Sequence, residues 1–143
     1  MTRLLVSLAL CTSFALFTLC DNGTNPTDCQ PITMAIKITS PASGASFKVG
    51  STVKVDFEVN RNQVTQVNIK VSIDNGKSFS NILSSGGLAV PSGNQYQCMS
   101  YDWKVGSEGE PVTWAATNSC ILVVEQYGNS TVYDQSQSFT VTQ

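Results

Sequence analysis

The sequence predicts an all-β protein, an antiparallel β-sandwich of about seven short strands. Apolar and polar residues alternate with period 2 in one segment after another. Gly, Pro, Asn and Asp punctuate those segments at short intervals, and no stretch after residue 20 shows apolar residues at helical spacing. A sheet closed into a barrel is the competing architecture. The number and length of the segments suit two packed sheets better.

The chain opens with Arg3 and the apolar run LLVSLALCTSFALFTL over residues 4–19. A short positive segment before an apolar run reads as an export signal over residues 1–19, because a bilayer span needs about 20 apolar residues. Residues 20–33 begin with Cys20 and continue as a polar stretch with two prolines and no periodicity, so they read as a flexible stalk. The folded domain is expected over residues 34–143.

Met34, Ile36 and Ile38 alternate with Ala35, Lys37 and Thr39, giving a short edge strand stopped at Ser40 and Pro41. After Phe47 and Gly50, Val53, Val55, Phe57 and Val59 alternate with Lys54, Asp56, Glu58 and Asn60, so one face is apolar and the other charged. Val67, Ile69, Val71 and Ile73 repeat the pattern, and Asp74, Asn75 and Gly76 then supply a tight turn that leads a hairpin into Phe79 and Ile82. Residues 84–97 mix Gly, Ser and Pro without alternation and read as a long loop, placed for recognition. Met99, Tyr101, Trp103 and Val105 form the next strand, ending at Gly106. Residues 106–111 are a turn, 112–127 hold the longest apolar stretch of the domain, and Phe139 with Val141 close it.

The segments ITSPASGASFKVGSTVKVDF at 38–57, VNIKVSIDNGKSFSNI at 67–82, YDWKVG at 101–106, CILVVEQY at 120–127 and DQSQSFTV at 134–141 resemble an immunoglobulin-like module. That module belongs to the Ser/Thr-rich, glycosylphosphatidylinositol-anchored (yeast cell-wall synthesis) family and also occurs in bacterial surface and secreted proteins. The resemblance implies an immunoglobulin-like sandwich and a cell-surface setting, and it carries over no catalytic or binding residue. Cys20, following the apolar run, also resembles the acylated first residue of bacterial lipoproteins, although Leu19 stands where Gly, Ala or Ser is usual. The expected location is therefore the cell surface or outer envelope, lipid-anchored at Cys20, with plain secretion as the alternative.

Eight Lys and Arg against ten Asp and Glu give a net charge of −2, which offers no basic surface to nucleic acid. The absence of His removes the usual serine and cysteine hydrolase arrangements. The acid pairs Asp56/Glu58 and Glu108/Glu110 read as a solvated strand face and a polar turn, so no catalytic residue is assigned and the chain is not expected to be an enzyme. With no Cys-x-x-Cys pair and no His, no metal or other cofactor is expected. Cys29, Cys98 and Cys120 are the disulfide candidates: one bridge and one free thiol if Cys20 is acylated, or two bridges if it is not.

Two kinds of contact remain. Trp103 is in phase with the core, whereas Tyr96, Trp114, Tyr127 and Tyr133 lie nearer strand ends and loops, where flat side chains can stack on sugar rings. If Cys120, Leu122 and Val124 face inward, Ile121 and Val123 face outward beside Glu125, and an apolar outer face needs a cover. The expected function is a non-catalytic surface module for adhesion or assembly, partnered by a surface protein or a second copy. The alternative is a carbohydrate-binding module for cell-wall or environmental polysaccharide.

Overall fold

The computed structural model describes residues 29–83, 86–107 and 117–143. The expected signal, Cys20 and most of the expected stalk lie outside the described residues, as do Trp114 and the acids of the 106–111 turn.

Two sheets pack face to face, as the alternation requires. One holds β1 (Ile36–Ser40), β3 (Thr52–Asn60) and β7 (Tyr96–Lys104), in the order β1-β3-β7. The other runs β2 (Ser46–Lys48), β10 (Phe139–Thr142), β8 (Thr117–Gln126), β4 (Gln66–Ser72) and β5 (Ser80–Asn81). Two more strands join it, β6 (Leu88–Ala89) on β4 and β9 (Asn129–Gln135) on β8. The described residues thus form ten strands rather than about seven, and the β2–β10 pairing is parallel, where an antiparallel fold was expected. The surplus strands are mostly too short to show a period: β5 and β6 have two residues each and β2 three.

The inward face is the one that the alternation marks. Val53, Val55, Phe57 and Val59 of β3 are buried, facing Val67, Ile69 and Val71 of β4 and Cys120, Leu122 and Val124 of β8. Trp103 sits edge-on to Phe139, centroids 6.3 Å apart, and Phe47 approaches Phe139 at 5.8 Å, so three aromatics lock β7, β10 and β2 together. At roughly 25 cal/mol per Å² of apolar surface, these large side chains contribute most to the sandwich.

The seam between the sheets is closed by a strand that the sequence analysis leaves unassigned. β9 extends β8 toward β1, where the Ile38 N–H donates to Asp134 Oδ2 at 2.7 Å. Ser136 then breaks the edge of β8 into two halves. Its hydroxyl oxygen accepts from Leu122 N–H at 2.9 Å and its own N–H donates to the Leu122 carbonyl at 2.8 Å, so β9 pairs beyond this point and β10 before it.

Residues 29–33, whose composition reads as stalk, are tied to the domain. Cys29 is disulfide-bonded to Cys98 of β7 across 69 positions, with the Cα atoms 5.3 Å apart, and Ile32 is buried. Cys120 is the free thiol of the described set and lies in the core.

Trp103 is the largest fully buried side chain among the described residues, and no smaller residue fills its volume. Trp103→Ala is expected to lower the unfolding free energy by about 3–5 kcal/mol, read from urea denaturation at constant m-value.

Candidate ligand-binding face

Strand β8 is buried on both of its faces. Cys120, Leu122 and Val124 point to the core, and the outward Ile121, Val123 and Glu125 are only 6%, 7% and 9% exposed. The open apolar patch expected at Ile121 and Val123 is therefore absent, because the chain covers it itself.

One cover is the turn after β4. Asn75 and Gly76 take positive φ, which lets the chain fold back over the sheet. A β-carbon placed on Gly76 lies 3.8 Å from both Ile121 Cδ1 and Phe79 Cζ, so the turn rests against Ile121 with Phe79 on its own flank. The buried Ser72 hydroxyl donates to Asp74 Oδ1 at 2.7 Å and accepts from Gly76 N–H at 2.8 Å. Asp74 also accepts from the Ser78 hydroxyl at 2.6 Å and from the N–H groups of Ser78 and Lys77 at 2.9 and 3.1 Å. These donors, Ser78 foremost, hold the Asp74 carboxyl well below the usual carboxylate range. Asn75 N–H donates to the Ser119 carbonyl at 3.0 Å, fastening the turn to β8.

On the other side of β8, β9 brings Tyr133 opposite Glu125 and Gln135 opposite Val123, while β4 sets Lys70 opposite Val123. A hollow of about 290 Å³ results, lined by Lys70, Phe79, Val123, Glu125, Ser130, Tyr133 and Gln135. Lys70 Nζ meets Glu125 Oε1 at 2.6 Å, while Phe79 and Tyr133, 41% and 55% exposed, rise from opposite sides of β4 and β8. The arrangement offers apolar ring faces beside a charged pair, a hydroxyl and an amide. That combination suits a ligand with both apolar faces and hydroxyl groups.

Of the contact residues named from sequence that are described, only Val123 lines this hollow, with Tyr133 from the wider aromatic set. Ile121 lies beneath the turn, and Tyr127 packs beside Gly87, whose β-carbon position is 2.8 Å from Tyr127 Cδ2. Tyr96 is half-buried on the other sheet, its hydroxyl accepting from Gln95 Nε2 at 3.3 Å. The described residues of the 84–97 loop do not line the hollow; β6 and the Val90 N–H bond to the Thr65 carbonyl, 2.9 Å, hold that loop to the start of β4. Phe79, Lys70, Glu125, Ser130 and Gln135 are additions. They sit on four separate segments, and only strand register brings them together.

The acids on the opposite sheet are engaged locally. Asp56 accepts from the Ser100 hydroxyl at 2.6 Å, and Glu58 pairs with Lys37 at 3.6 Å. Comparison of the sequence with protein-family models and with curated proteins finds no match.

Because the folded Asp74 carboxyl lies below its unfolded value of about 3.9, its stabilisation is complete above that value and is lost as pH falls through the folded one. The stability advantage of the wild type over Asp74→Asn is expected to be constant from about pH 7 to 5 and to shrink only below about pH 4. Parallel urea titrations across that range check it, and a gap that grows on acidification contradicts the assignment.

Proposed function

We propose that the chain is a non-catalytic, exported surface module that adheres to polysaccharide through the hollow on the outer face of its larger sheet. The supporting observation is the pair of exposed aromatics, Phe79 and Tyr133, flanking the Lys70–Glu125 pair. Sugar rings present flat C–H faces and rims of hydroxyls, and aromatic walls with a few fixed polar groups are what such a ligand uses.

Two further features favour this reading. The cover over Ile121 and Val123 removes the apolar patch on which assembly through that face depended. Cys29, the first described residue, is bonded to Cys98, which is exposed on the three-stranded sheet and so lies on the other sheet from the hollow. The immunoglobulin-like surface family that the sequence resembles fits a surface setting.

Co-sedimentation of the full chain with insoluble polysaccharides tests the proposal. Phe79→Ala and Tyr133→Ala are each expected to weaken binding roughly tenfold, the usual effect of removing an aromatic contact, while Tyr96→Ala leaves it unchanged. Binding that survives both hollow variants, or none to any polymer, contradicts it.

A further inference from the structure

A second cluster lies on the far face of the sandwich. We propose that the protein in its dithiol form, before the Cys29–Cys98 bond is made, carries a metal site of two thiolates and one carboxylate. Its ligands are Cys29, Cys98 and Glu58, and its cation is a soft or borderline divalent ion of the zinc and cadmium kind.

In the disulfide-bonded structure the two sulfurs are joined, and a Glu58 carboxylate oxygen lies within 4.8 Å of both. The sheet sets most of that geometry. Glu58 on β3 faces Cys98 on β7 directly across the ladder and faces Lys37 of β1 on its other side, so breaking the sulfur–sulfur bond leaves the carboxylate beside the Cys98 thiol. Cys29 is held from the other direction, because Ile32 is buried three positions later and the chain enters β1 at Ile36.

Glu58 supplies an independent sign. Its Oε2 is enclosed by the surrounding chain and receives no hydrogen bond, and its charge is met by Lys37 Nζ at 3.6 Å. An enclosed carboxylate oxygen without a donor is costly, and a cation at the sulfurs satisfies it. Two thiolates select a soft ion over calcium or magnesium, and three protein ligands leave the fourth tetrahedral position to water.

Metal and disulfide compete for the same two sulfurs. A dithiol chain binds the cation by giving up its two thiol protons. When a disulfide oxidant then takes two electrons from the two thiolates, its own sulfur–sulfur bond breaks and it leaves as two thiolates that take up two protons from water, while the Cys29–Cys98 bond forms and the cation is released.

The test is cysteine alkylation mapped residue by residue on the full chain, reduced with a phosphine and titrated with cadmium. About one equivalent is expected to protect Cys29 and Cys98 together, and Glu58→Gln is expected to need roughly tenfold more. Cys120, buried in the core with its thiol pushed up to about 11 by desolvation, stays unreactive while the reduced domain is folded and so serves as an internal control. Equal alkylation with and without cadmium overturns the proposal, as does an unshifted midpoint in Glu58→Gln. Reactive Cys120 in the reduced chain also overturns it, since the site needs the folded sheet.

Discussion

Strand β8 cannot be left open on either side. Six consecutive residues from Cys120 to Glu125 are buried, so the strand needs an apolar layer beneath it and a second layer above. The lower layer is the shared core with β3, β4 and β7. The upper one is assembled from pieces: the Asp74 turn beside Ile121, and Phe79, Lys70 and Tyr133 around Val123. A cover built from separate segments does not close completely, and the gap among its pieces is the hollow. Fold and candidate site thus follow from one requirement, the burial of both faces of a single strand.

That requirement was half visible in the sequence. The alternation at 53–60 and 67–73 marks the inward residues of β3 and β4 correctly, because each strand has one solvated face and the period is clean. The doubly apolar run at 120–124 also showed that an outer cover was needed. Its source was not readable, since the turn at 74–79 lies far away in sequence and reaches Ile121 only through the β4–β8 pairing. β9 escaped detection for a related reason. Asn129, Ser130 and Thr131 are all exposed, and Val132 alone of its apolar residues is half-buried, so its seven residues carry almost no hydrophobic period. The aromatics showed the same divide. Trp103 was assigned to the core by phase, whereas choosing Phe79 and Tyr133 over Tyr96 and Tyr127 required knowledge of which strands are neighbours.

The two outer faces of the sandwich have different chemistry. The larger sheet presents the aromatic hollow over an ion pair of its own. The three-stranded sheet presents rows of charged and polar residues, Lys37–Glu58–Cys98 and Ser40–Asp56–Ser100, with the N-terminal segment stapled over one of them. A disulfide closing so long a loop restricts the unfolded chain and is worth roughly 2–4 kcal/mol. It also fixes residues 29–33 against the three-stranded sheet, away from the hollow.

The most direct measurement is a nuclear magnetic resonance titration of the protein with a panel of soluble oligosaccharides, following side-chain signals on both sheets. The account predicts shifts that saturate and cluster at Phe79, Tyr133, Val123 and Lys70, while Tyr96 and Ser100 on the opposite sheet stay unmoved. Shifts confined to the three-stranded sheet, or none with any oligosaccharide at millimolar concentration, contradict it.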